Sequence, residues 1–126
     1  PTAPPRYHVP TQLDRADFPH PEAPWLLVVF TSATCDSCRG VLERARPLDG
    51  PELAVVEVEV GERPDLHTRY GIDAVPTLVL ADTDGVVFTG SLGPVDSLEL
   101  WAAVADARSA RDEGIHPPGS GELGHG

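Results

Sequence analysis

The chain has little positive charge and no long apolar run. Its 126 residues include 9 lysines and arginines against 20 aspartates and glutamates, so the formal net charge is −11. We expect no nucleic-acid partner, because an acidic surface gains neither counterion release nor attraction from phosphates. No apolar stretch approaches the roughly 18 residues that a membrane-spanning helix needs. The composition therefore argues against nucleic-acid binding and against a membrane span within these residues.

Cysteine is scarce as well, with Cys35 and Cys38 as the only two. This number excludes a secreted scaffold held by several disulfides, so any thiol chemistry must belong to this pair. No two histidines stand at zinc-ligand spacing, so we expect no metal site and interpret the histidines as surface residues. They are His8, His20, His67, His116 and His125.

Methionine is absent and the first residue is proline, which suggests a trimmed or processed product rather than a complete translation product. Residues 1–5 do not resemble a signal peptide. A membrane tether upstream is left open, so the expected location is either cytoplasmic or membrane-tethered.

The chain has the length of one domain, with a different composition at each end. Residues 1–24 hold seven prolines and are predicted to be extended or irregular, with a short edge strand around residues 11–14. The folded domain is predicted over residues 25–111. Residues 112–126 are rich in glycine, proline and histidine and are predicted to form a flexible tail.

Hydrophobic patterning predicts an α/β order of elements. The predicted elements are strand 25–30, helix 35–45, strand 53–60, helix 65–70, strands 77–81 and 86–90 as an antiparallel hairpin, and helix 95–108. The first strand is apolar throughout, which is typical of a central strand covered on both faces. In the last helix Leu98, Trp101, Ala102 and Ala105 recur at helical intervals and form its expected apolar face.

The two cysteines stand at the predicted start of a helix. At this spacing both lie on one face, close enough for the Cα separation of about 5.5 Å that a disulfide prefers. The free N–H groups and positive dipole end of the helix lower the pKa of the first thiol. The pattern predicts Cys35 as the nucleophile and Cys38, more deeply placed, as the thiol that resolves a mixed disulfide.

Two other interpretations of the pair remain. A purely stabilising cross-link is disfavoured, because so small a loop restrains the unfolded chain by well under the ~3 kcal/mol of a 15-residue loop. A small carrier that binds Cu(I) or Zn(II) through both thiols stays open on spacing alone.

The order of elements and two motifs resemble the thioredoxin family. Residues 26–38 are similar to that family's core strand and redox helix, and residues 70–77, Tyr-Gly-Ile-Asp-Ala-Val-Pro-Thr, are similar to its second signature. The resemblance covers residues 25–108. It implies a thioredoxin fold, with a central mixed β-sheet of four to five strands flanked by helices, and disulfide exchange without a bound cofactor.

The resemblance also implies substrate-binding residues. It implies a cis peptide bond between Val75 and Pro76 in a loop facing the cysteines, with the Val75 backbone pairing with substrate as an added strand. Thr34 replaces the family's usual tryptophan before the first cysteine, and Asp36 and Ser37 replace its usual Gly-Pro. These three residues flank the nucleophile and are expected to contact substrate.

A further departure concerns the proton acceptor for the second thiol. The family's buried aspartate corresponds to Val29, and the lysine usually beside it corresponds to Glu57. We hypothesise that Glu57 supplies the carboxylate from the neighbouring strand and accepts the proton of Cys38 during resolution. The alternative is an exposed strand glutamate without a role.

These patterns predict a monomeric thiol-disulfide oxidoreductase. It would exchange disulfides with protein substrates and depend on an upstream electron donor or acceptor. The alternative is a thioredoxin-like protein-binding module with weak or vestigial redox activity.

Overall fold

The computed structural model describes residues 8–112. Its elements are β1 (Trp25–Thr31), α1 (Asp36–Ala45), β2 (Leu53–Glu59), α2 (Pro64–Arg69), β3 (Thr77–Ala81), β4 (Val87–Leu92) and α3 (Ser97–Asp112), with 3₁₀ turns at Arg15–Asp17 and Arg46–Leu48. Every predicted helix and strand from residue 25 onward is present, with ends that differ by up to four residues. Residues 113–126, which hold most of the predicted tail, lie outside the described residues.

The four strands form one mixed sheet in the order β2-β1-β3-β4. β1 pairs in parallel with β2 and antiparallel with β3, and β4 is antiparallel to β3. The sheet with its flanking helices confirms the expected fold class. In the register, Thr31 lies opposite Glu59 and Phe30 opposite Thr77. The loops after β1 and β2 and the loop before β3 therefore meet at one end of the sheet.

Both faces of the sheet are covered, and every residue of β1 is buried. Leu26 and Phe30 point to the face covered by α2 and by residues 13–23, whereas Leu27 and Val29 point to the face covered by α1 and α3. A strand buried on both faces needs an apolar residue at nearly every position, which explains the continuous apolar run in the sequence.

The expected edge strand at residues 11–14 is a single β-bridge between Gln12 and Val86. The chain approaches the β3–β4 hairpin closely there, and the N–H of Leu13 donates to the carbonyl of Gly85 over 2.8 Å. A Cβ at residue 85 would overlap the Leu13 carbonyl oxygen, so this approach requires glycine. Pairing stops because Asp14 caps the 3₁₀ turn that follows, through its side chain and the Ala16 N–H.

The prediction of which side of α3 is buried is wrong. Leu98 and Trp101 are 78% and 65% exposed, while the residues that pack against the sheet and α1 are Leu100, Val104 and Ala107. Apolar side chains occur on both sides of this helix, so helical spacing alone could not select the buried side. Docking against the sheet selected it.

One histidine also differs from the sequence interpretation. His67 is 6% exposed, with its Nε2 atom 2.9 Å from the Val58 carbonyl oxygen and its ring edge-on to Phe30. His8 and His20 are exposed, whereas His116 and His125 lie outside the described residues. His67 is buried because α2 turns this face toward β2, a contact that local sequence does not reveal.

None of the helices within residues 8–112 combines the length and apolarity that spanning a bilayer requires.

Candidate active site

Cys35 and Cys38 form a disulfide at the start of α1, with their Cα atoms 5.3 Å apart. β1 ends at Thr31, and a turn closed by the Cys35 N–H and the Ser32 carbonyl leads into the helix. Cys35 is the N-cap, and its sulfur accepts a hydrogen bond from the Cys38 N–H over 3.2 Å. A sulfur at this position receives the N–H donor and positive dipole end that stabilise a thiolate.

The two sulfurs differ in their access to solvent. Cys35 is half-buried, whereas Cys38, in the first turn of α1, is only 2% exposed. An incoming disulfide can therefore approach Cys35 and not Cys38. This asymmetry is what an attacking thiol and a resolving thiol require.

The three residues expected to flank the nucleophile are all exposed around it. Thr34, Asp36 and Ser37 border Cys35, and the Ser37 hydroxyl lies 3.5 Å from the Cys35 sulfur. Asp36 occupies the first turn of α1, where its negative charge complements the helix dipole. The surface next to Cys35 is thus polar and acidic.

The loop before β3 lies at the same end of the sheet. The Val75–Pro76 peptide bond is cis, and Pro76 is buried while Val75 is partly exposed. The Pro76 carbonyl accepts from the Gly93 N–H over 2.8 Å, and the Thr77 hydroxyl donates to the Ala74 carbonyl. Within residues 8–112 no hydrogen bond engages the backbone N–H or carbonyl of Val75.

Glu57 lies on β2 opposite Val29, on the face of the sheet that α1 covers. Its Oε2 atom accepts a hydrogen bond from the hydroxyl of the buried Thr31 over 2.7 Å. Its Oε1 atom forms a 3.2 Å ion pair with Arg46. Its side chain is 31% exposed, and within the described part of the chain it has no hydrogen bond to Cys38.

Sequence reasoning missed a second carboxylate near the cysteines. Glu59, the last residue of β2, accepts a 3.1 Å hydrogen bond from the Ala33 N–H in the turn that precedes Cys35. Hydrogen bonds to backbone N–H groups, first that of Gly61 and then those of Ala33 and Glu62, lower the pKa of Glu59, while desolvation opposes the shift. The alternation of Glu57 and Glu59 with valines indicated only a strand face, because the partner of Glu59 is 26 residues away.

The described residues, 8–112, contain no group of three or more histidine, cysteine, aspartate or glutamate side chains placed to hold a metal ion.

No protein-family model matches the chain, and no curated protein matches it in sequence. Solved thioredoxin structures do match. A thioredoxin of Halobacterium salinarum with one substitution is 27% identical, with 68% of this chain and 75% of that chain covered and a TM-score of 0.61.

Two further solved structures share the fold at lower identity. Chloroplastic thioredoxin z is 24% identical, with 68% of this chain and 80% of that chain covered and a TM-score of 0.59. Thioredoxin-2, described as a component of the malaria parasite protein secretion machinery, is 15% identical, with 66% and 82% covered and a TM-score of 0.59. At these identities the likeness concerns the fold alone.

The sheet order, the flanking helices and the structural matches agree on the architecture. The Cys35–Cys38 pair stands at the start of the helix that follows the central strand. This chain is therefore a thioredoxin-like domain whose Cys-x-x-Cys pair supports a thiol-disulfide redox role.

Proposed function

We propose that this domain is a thiol-disulfide oxidoreductase that exchanges disulfides with protein substrates. The observation that carries the proposal is the unequal placement of the two sulfurs. Cys35 is accessible and receives the Cys38 N–H, while Cys38 is buried one turn further along the same helix. This arrangement favours capture of a partner at Cys35 followed by its release through Cys38.

The reduction of a substrate proceeds in two balanced exchanges. The Cys35 thiolate attacks one sulfur of the substrate disulfide, which forms a mixed disulfide and expels the other substrate sulfur as a thiolate. The Cys38 thiolate then attacks the Cys35 sulfur, which closes the Cys35–Cys38 disulfide and expels the second substrate sulfur. The two substrate thiolates take up protons, and two electrons have passed from the domain to the substrate. An upstream dithiol donor must reduce the domain before the next turnover.

Substrate binding is assigned to the surface around Cys35 and the loop before β3. The exposed Thr34, Asp36 and Ser37 lie beside the nucleophile. The unpaired backbone of Val75 next to cis-Pro76 is suited to pair with an extended substrate segment, because added strands bind mainly through backbone hydrogen bonds.

Glu57 is proposed as the group that accepts the proton of Cys38 during resolution. Its carboxylate lies on the side of the sheet that carries α1, and Thr31 and Arg46 hold it there. On β2 it lies opposite the apolar Val29 on this face, two residues before Glu59, which lies opposite Thr31. This role depends on a shorter approach to Cys38 in the reduced protein than in the disulfide form.

The proposed function is tested by equilibrium with glutathione buffers and by reduction of insulin disulfides. We expect turnover that is lost in Cys35→Ser, while Cys38→Ser accumulates the mixed disulfide because nothing displaces it. A potential of about −270 mV would identify a reductant, and one of about −120 mV an oxidant. A wild-type protein without any exchange activity would contradict the proposal and favour the binding module.

A further inference from the structure

We infer that Glu59 is a positioning residue for Cys35, since its carboxylate joins the turn that carries this cysteine to the loop after β2. The inference deepens the proposed function and depends on it only for the consequence in turnover. Its structural basis is a set of hydrogen bonds between two loops at the end of the sheet.

The contacts of Glu59 connect both loops through one residue. Its Oε2 atom accepts from the Ala33 N–H over 3.1 Å, and its Oε1 atom accepts from the Glu62 N–H over 3.1 Å. Its main-chain carbonyl accepts from the N–H groups of Glu62 and Arg63 over 3.1 and 2.9 Å. The side chain therefore links the segment after β1 to a turn that its own backbone already organises.

Gly61 shows how closely the chain wraps this carboxylate. A Cβ at residue 61 would lie 3.0 Å from Oε1 and 3.3 Å from Oε2 of Glu59. These separations are tighter than ordinary van der Waals contact, so a side chain there would displace the carboxylate by a few tenths of an ångström. A hydrogen bond from the Gly61 N–H is the largest cause of the lowered pKa of Glu59.

The consequence for Cys35 follows from the turn between them. Ala33 lies inside the turn that the Cys35 N–H closes on the Ser32 carbonyl. Fixing the Ala33 N–H therefore fixes the backbone that leads into the N-cap, where the Cys35 sulfur meets the Cys38 N–H. Without the Glu59 contact the turn has more freedom, and the thiolate of reduced Cys35 receives this hydrogen bond for less of the time.

Charge and positioning predict opposite effects on the pKa of Cys35. Glu59→Gln removes a negative charge near Cys35, which by charge alone would favour the thiolate and lower its pKa. It also replaces one acceptor oxygen by an NH2 group that only donates, so the side chain can no longer accept from both the Ala33 N–H and the Glu62 N–H, and the turn before Cys35 is held less firmly. The loss of positioning in Glu59→Gln therefore predicts a raised pKa of Cys35. Glu62→Gln is the matched control, because its backbone N–H contacts Glu59 and its carboxylate does not.

The experiment measures alkylation of Cys35 in the reduced protein by iodoacetamide as a function of pH, with peptide mass mapping. We expect Glu59→Gln to raise the apparent pKa of Cys35 relative to Glu62→Gln. At about pH 6 its alkylation should be roughly two- to tenfold slower, the factor that one hydrogen bond contributes. Equal pKa values in the two variants, or a lower pKa in Glu59→Gln, would overturn the inference.

A second variant guards against misfolding of Glu59→Gln. Gly61→Ala leaves every charge in place and crowds the carboxylate, so it should also raise the apparent pKa of Cys35. An unchanged pKa in a folded Gly61→Ala would count against the inference. Alkylation needs no disulfide substrate, so its result is independent of insulin reduction. A wild-type protein without exchange activity, together with a raised Cys35 pKa in Glu59→Gln, would reject the proposed function and retain the role of Glu59.

Discussion

Glu57 is the residue whose proposed role in the chemistry is most open to a direct kinetic test. Its carboxylate accepts a hydrogen bond from the buried Thr31 on the side of the sheet that α1 covers. Glu57→Gln should slow resolution of the Cys35 mixed disulfide by about 100-fold, within the range for a lost general base. Rapid quenching of a preformed mixed disulfide measures this rate, and initial attack by Cys35 should change much less.

The control for Glu57 is Glu43→Gln, which makes the same charge change at an exposed position on α1. Resolution in this variant should match that of the unmodified chain. If Glu57→Gln resolves the mixed disulfide as fast as the unmodified chain does, the Glu57 carboxylate does not accept the proton of Cys38. Its role is then limited to its contacts with Thr31 and Arg46, and another group accepts the proton.

At the scale of the element, α3 shows which of its two apolar sides contributes to stability. Leu100 is 5% exposed and Leu98 is 78% exposed on the same helix. Leu100→Ala should lower the free energy of unfolding by about 2–5 kcal/mol, because it leaves a cavity against the sheet. Leu98→Ala should change it by no more than about 0.5 kcal/mol. Urea unfolding measures both values.

The two leucine variants form a matched pair. Both exchange the same side chains within one helix, so the change in helix propensity is the same and the difference reports burial. Equal losses, or a larger loss at Leu98, would show that the exposed side of α3 is covered in solution and would contradict the packing described above.

At the scale of the whole molecule, the net charge of −11 should select among substrates. Asp36 beside Cys35 and Asp73 in the loop before β3 give the proposed binding surface the same sign. Exchange with a disulfide peptide flanked by lysines should slow several-fold as ionic strength rises from about 0.01 to 1 M, because the Debye length falls from about 30 to 3 Å. The exchange rate of the same peptide flanked by glutamates should increase as ionic strength rises over that range, because salt screens its repulsion from the acidic surface.

Steady-state rates with the two peptides at several salt concentrations measure this effect, and a neutral peptide supplies the reference. An identical salt dependence for both charged peptides would show that the acidic surface does not take part in substrate encounter.

Much of the site could be predicted from local sequence. The Cys-x-x-Cys spacing, the apolar strand before it and the Val-Pro pair depend on neighbouring residues, and the structure places them at one end of the sheet. Helix capping and strand burial act over a few residues, so their patterns are readable along the chain. The cysteine roles and substrate contacts remain proposals that follow from this placement.

The amino-acid sequence by itself determined the order of helices and strands and the position of the two thiols, because backbone preferences and short spacings settle both. Only the tertiary structure decided that α3 buries Leu100 rather than Leu98, that His67 packs against Phe30, and that Glu59 contacts the Ala33 N–H. Each of these depends on which surfaces the sheet brings together over long sequence separations. Periodicity along one element carries no information about such partners, and packing between elements selects them.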